Sequence, residues 1–213
     1  MKTLLLMRHA KSSWKHKDLT DQERPLNKRG RSDAPLMGHL LVDRELIPQR
    51  IVSSSAVRAR ETAEAILQVL NGTTHFSGQV DYLDNLYMAE ATEYYSVLHD
   101  IPDALERVMV IGHNPGLETL LQLLSNRIES LPTAVLAHIV LPIEHWSDLT
   151  NDTTGELIEI WRPKELREDT EEEAKEIEKE KEKEKGKGKG KAKEKTKAKD
   201  KDKEKSKSKK KDK

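Results

Sequence analysis

Three short apolar runs stop abruptly on residues able to do chemistry, and this pattern constrains the fold more than anything else in the chain. Leu4–Met7 gives way to Arg8-His9, Ile51-Val52 to Ser53-Ser54-Ser55, and Val108–Ile111 to Gly112-His113-Asn114-Pro115. A short, uninterrupted apolar run suits a strand buried on both faces. Helical periodicity follows each of them. Asn27 reads as the N-cap of a helix reaching about Asp43, with Leu36, Met37, Leu40 and Leu41 on its apolar face and a kink or restart at Pro35. A second helix runs from about Val57 to Leu70 and closes at Asn71-Gly72. A third takes Asn114 as N-cap and Pro115 as its first residue, with Leu117, Leu120, Leu121 and Leu124 as its stripe.

The remaining pieces fit the same frame. Val80–Leu83 reads as a strand, Thr92–Asp100 as helical, and Val135–Leu141 and Leu157–Trp161 as two closing strands. Strand–helix alternation over the first 125 residues predicts an α/β fold with a mostly parallel sheet, the last two strands pairing antiparallel.

Composition divides the chain. Residues 1–163 hold 16 Lys+Arg and 22 Asp+Glu, whereas 164–213 hold 22 and 16, so the neutral total hides two opposite imbalances. The sequence therefore predicts one domain over 1–163 and a charged low-complexity tail over 164–213. Within that tail a helix laced by i,i+4 ion pairs is expected over 168–185, and disorder after it. From Lys181 to Lys213 there are 18 Lys and 7 acids. A stretch of that charge would touch polyanions weakly and with strong salt dependence. The chain has no cysteine, which removes disulfides, thiolate nucleophiles and Cys-ligated metals. No apolar stretch approaches the length of a membrane span, and Leu4–Met7 is too short for a signal-peptide core, so a cytoplasmic monomer with no membrane contact is expected.

All three chemistry-bearing clusters fall where a strand ends. In open α/β sheets, ligand crevices form outside the carboxyl ends of strands. Arg8, His9, Arg58 and His113 brought together there would make an anion site, with phosphate as its natural occupant, because Arg forks match phosphate oxygens. A neutral imidazole is a competent nucleophile near neutral pH. In-line attack by His9 would give a phosphohistidine intermediate, with Arg8, Arg58 and His113 stabilising the equatorial oxygens. Neither a metal nor a cofactor is called for when so many cationic donors converge. The other histidines show no metal-ligand spacing.

Read as strings, these clusters have a family likeness. Leu6-Met7-Arg8-His9-Ala10-Lys11-Ser12-Ser13-Trp14 followed by Arg24-Pro25-Leu26-Asn27-Lys28-Arg29-Gly30 resembles the opening of SixA-type phosphohistidine phosphatases, within the histidine phosphatase (phosphoglycerate mutase-like) superfamily. Ser53–Ala63 is similar to the family's second motif and Val110–Pro115 to its third. The resemblance covers about residues 1–163. It implies a three-layer α/β/α sandwich, His9 as the phosphorylated nucleophile, and Arg8, Arg58 and His113 as phosphate ligands. It also implies a histidine-phosphorylated protein as substrate.

The chain departs from the larger family members in two places. Ala10 stands where many read Gly after Arg-His, which suits the SixA-like branch. The acid that protonates the leaving group in larger members has no clear counterpart here, and Glu90 is the nearest candidate. A site lacking a strong acid should favour phosphohistidine over sugar phosphates, since imidazole leaves more readily than alkoxide. Only 54 residues separate Arg58 from His113, leaving little room for an inserted lid, so a shallow, open pocket is expected. The alternatives are a small-molecule phosphomonoesterase or a non-catalytic phosphate-binding protein.

Overall fold

The structure, a computed structural model, describes residues 1–73 and 76–168. Every element below lies in the compact unit Met1–Lys164. The helix expected over 168–185, the disorder expected after it and the polyanion contact expected of the Lys-rich stretch fall beyond residue 168, outside the described residues.

The strands are β1 (Lys2–Arg8), β2 (Arg50–Ser54), β3 (Gln79–Leu83), β4 (Arg107–Gly112), β5 (Leu136–Leu141) and β6 (Glu156–Trp161). The helices are α1 (Lys28–Asp43), α2 (Val57–Thr73), α3 (Ala91–His99) and α4 (Gly116–Ser125). The six strands form one sheet in the order β3-β2-β4-β1-β5-β6. The first four are parallel, β5 runs antiparallel to β1, and β6 runs antiparallel to β5. This is the α/β architecture the sequence predicts.

Burial explains the apolar runs. Leu4, Leu5, Leu6 and Met7 are all fully buried because β1 sits inside the sheet with helices on both faces. Leu4, Leu6, Val52, Val108 and Val110 pack with Leu117, Leu120, Leu121 and Leu124 of α4 and Tyr94 and Leu98 of α3. Alternate residues face the other layer, where α2 lies on β2 and β4 and packs against α1. Each fully buried Leu contributes about 1.5–3 kcal/mol by leaving water.

Helix ends depart from the sequence expectation at three points. The α1 helix is capped by Asn27, whose side chain accepts from the Gly30 N–H at 2.9 Å, yet it runs unbroken through Pro35. A proline removes one backbone donor, and packing against α2 holds the helix across that gap. The α2 helix continues past Asn71-Gly72 to Thr73, whose hydroxyl donates to the Val69 carbonyl. The α4 helix begins at Gly116 with Pro115 as its cap residue. Asn114 does not cap it: its Nδ2 donates across to the Leu131 carbonyl at 3.0 Å, and its Oδ1 is buried with no hydrogen-bond partner among the described residues. Among the described residues no helix is long and apolar enough to cross a membrane.

Candidate active site

Sheet register assembles the site. Arg8 pairs with Gly112 across β1 and β4, so His9 and His113 are the next residues along two adjacent strand ends. Ser53 pairs with Ile111, which brings Ser54 to the same rim. The His9 and His113 rings come within 4.9 Å, centroid to centroid. Gly112 is needed here: a Cβ on it would meet the Tyr94 hydroxyl at 2.2 Å, and that hydroxyl accepts the His113 backbone N–H.

Arg58, in the first turn of α2, joins the two rings. Its Nε donates to His9 Nε2 at 3.2 Å and its Nη2 to His113 Nδ1 at 3.4 Å. These bonds settle the tautomers. His9 donates from Nδ1 to the Ala10 carbonyl at 2.8 Å, so Nε2 carries a lone pair into the cleft. His113 donates from Nε2 to the Ser54 hydroxyl at 2.8 Å. Burial, reinforced by the surrounding positive charge, pushes both imidazoles down to about 3, so both are neutral at physiological pH.

Arg8 reaches the cleft from the end of β1. Its Nη1 donates to the Leu131 carbonyl at 2.9 Å, while its Nε is buried with no hydrogen-bond partner among the described residues. The backbone behind it is strapped from the far side, where the Ala134 N–H donates to the carbonyls of both Arg8 and His9, at 3.0 and 3.2 Å. Ala134 adopts a left-handed conformation (φ 64°) to do so. On α2, Thr62 accepts the Ala10 N–H at 3.0 Å and Glu61 accepts the Leu26 N–H at 2.6 Å. The polar residues after Arg58 in the second motif are therefore struts for the loop that follows β1.

Arg8, His9, Arg58 and His113 thus line one open cleft of about 440 Å³. Lys11, Ser12 and Asn114 line it too. Glu90 does not: it is the exposed N-cap residue of α3, and its backbone N–H bonds Glu93 Oε2 at 3.1 Å. The candidate acid is spent on starting a helix.

Sequence reasoning missed another carboxylate. Asp21 lines the cleft and takes Arg58 Nη2 and the Tyr87 hydroxyl on Oδ2, at 3.0 and 2.9 Å, and Arg24 on Oδ1 at 2.7 Å. Burial pushes its carboxyl up, but the Tyr87 hydrogen bond and the charges of Arg58 and Arg24 outweigh this and hold it below the ordinary range. Arg24-Pro25 was visible as part of a motif; nothing in the sequence said that the loop folds Asp21 back onto Arg58.

Residues 4–86 match the model of the histidine phosphatase superfamily (branch 1). An uncharacterised chloroplastic protein of Arabidopsis thaliana is 33% identical over 138 residues, 61% of this chain and 62% of that protein, so the match spans less than two thirds of the relative's length. A candidate phosphohistidine phosphatase SixA from Agrobacterium tumefaciens is 27% identical, with a TM-score of 0.64 over 76% of this chain and 98% of that one. A second candidate SixA, from Nakamurella multipartitia, is 25% identical with a TM-score of 0.66, over 76% and 96%.

Proposed function

We propose, from the premise that this chain belongs to the histidine phosphatase superfamily, that it hydrolyses phosphohistidine on a protein by way of a phosphorylated His9. The observation that carries this reading is Arg58 bridging the two neutral imidazoles, His9 through Nε2 and His113 through Nδ1. A phosphoryl group entering the cleft would draw the Arg58, Arg8 and His113 donors onto its oxygens and free the His9 Nε2 lone pair. As the bond from Nε2 to phosphorus forms, the bond to the leaving nitrogen breaks and that nitrogen keeps the electron pair. Water then attacks the phosphorylated His9, releasing inorganic phosphate and restoring the neutral ring. The stabilising charge comes from arginine and imidazole donors, so turnover should persist in EDTA.

The choice of leaving group rests on proton supply. Glu90 is outside the cleft, and Asp21 is held ionised by three donors, so neither offers a proton. An alkoxide needs one and a protonated phosphoimidazole does not, because it leaves as neutral imidazole. The test compares a histidine-phosphorylated protein with a panel of sugar and nucleotide phosphates, all in EDTA. The expected result is a kcat/KM for the phosphoprotein at least about a hundredfold above the best ester, on the order of 3 kcal/mol of discrimination. Turnover confined to the small esters would turn the reading into a phosphomonoesterase.

A further inference from the structure

Six large apolar side chains are exposed among the described residues, and two of them, Trp14 (72% exposed) and Met88 (53%), border the one cationic cleft. An anion site has no use for exposed hydrocarbon at its mouth. Trp14 is nonetheless held in place: the Arg24 guanidinium stacks on its ring at 3.5 Å from the centroid. Arg24 is itself buried and anchored, with Nη1 on the Ser12 hydroxyl at 3.0 Å and Nε on Asp21 at 3.0 Å. The indole is thus braced through Arg24 by the loop that carries Asp21, and most of its surface stays in solvent. Met88 comes from a different segment, after Tyr87, and holds a left-handed backbone (φ 51°) that a bulky side chain adopts only under constraint. Strain of this kind concentrates where a side chain must be aimed.

We infer that Trp14, braced by Arg24 and facing a lip formed by Met88, is the specificity residue that receives the planar leaving group, an imidazole ring joined through nitrogen to the phosphoryl group held by Arg8, Arg58 and His113. The inference rests on the phosphatase reading and deepens it by assigning the ring its own seat. A flat, partly charged heteroaromatic stacks on indole, whereas ammonia gains nothing there.

The experiment uses the full chain and two substrates with the same scissile bond: N-phosphohistidine, and phosphoramidate, in which ammonia replaces the ring. The readout is the ratio of their kcat/KM values. In Trp14→Ala that ratio should fall at least about fivefold, the lower end of what losing one base–aromatic stack costs. Trp14→Phe, which keeps a ring, should restore it to within about twofold of wild type. Thermal denaturation of both variants checks that the domain is intact, which the exposure of Trp14 favours. A phosphohistidine-containing peptide as a third substrate separates the sources of the ring. Loss confined to the peptide assigns the seat to a chain-borne ring, and loss with both assigns it to the ring alone. An unchanged ratio with free and peptide-borne phosphohistidine alike overturns the inference while leaving the phosphatase reading standing. Wild-type protein that leaves phosphohistidine intact overturns both.

Discussion

The floor of the cleft and its rim are built by different means. On the floor, His9, Arg58 and His113 are 7%, 2% and 2% exposed, and each is fixed by a strand end or a helix start locked into the sheet. On the rim, Trp14 and Met88 are mostly in solvent, and Asp21, Arg24 and Tyr87 hold one another through side chains on loops. Moving a floor group means breaking sheet register; moving a rim group means breaking side-chain contacts between loops. The floor therefore suits an operation that must not vary, and the rim suits choosing what is operated on.

The sharpest way to break this contrast is at the proposed nucleophile. His9→Ala should abolish turnover of p-nitrophenyl phosphate in EDTA, while Arg58→Ala should leave a residue some 10²–10³-fold below wild type, as loss of one charge-stabilising donor does. Steady-state rates check both. Measurable turnover by His9→Ala at the Arg58→Ala level would mean that another group attacks phosphorus.

A second effect follows from burying two imidazoles neutral. Folded, both titrate at about 3; unfolded, at about 6.5. Between those values the unfolded chain takes up protons that the folded one refuses. Stability is thus fully present above about pH 6.5 and drains as pH falls toward about 3, by about 1.4 kcal/mol per pH unit for each ring. Urea midpoints at about pH 7 and about pH 4 measure it. His113→Asn, which cannot charge, should show a shallower decline than wild type, and an equally steep one would remove the floor imidazole from the account.

How much of this was legible follows the same division. Leu4–Met7 and Val108–Ile111 announced themselves because a strand buried on both faces has no place for a polar residue, and a sheet rim must follow. With parallel neighbours, Arg8-His9 and Gly112-His113 had to meet. Asp21 and Tyr87 stayed hidden because the partners of that hydrogen bond are 66 positions apart in sequence, and no local pattern encodes how a polar loop turns back. Glu90 misled for the opposite reason: a carboxylate in the right interval of sequence is also what a helix N-terminus wants. Pro35 misled because neighbouring helices can hold a backbone whose own ladder is missing a rung.

The smallest expected effect tests that last distinction. Glu90→Gln should change kcat/KM by less than about twofold and lower stability by only a few tenths of a kcal/mol, the scale of a weakened helix start. A tenfold fall in rate, concentrated on substrates with alkoxide leaving groups, would return Glu90 to the chemistry.

The strap from Ala134 onto the carbonyls of Arg8 and His9 ties the loop after β1 to a segment more than a hundred positions further along the chain. Ala134 lies just before β5, which runs antiparallel beside β1, so the carbonyls of Arg8 and His9 are held by the same segment that pairs with their strand. A chain truncated before that point would keep the His9 ring but lose those two bonds and the β5 partner of β1. The segment around Ala134 thus works as a backstop, fixing from behind the backbone from which two cleft side chains extend.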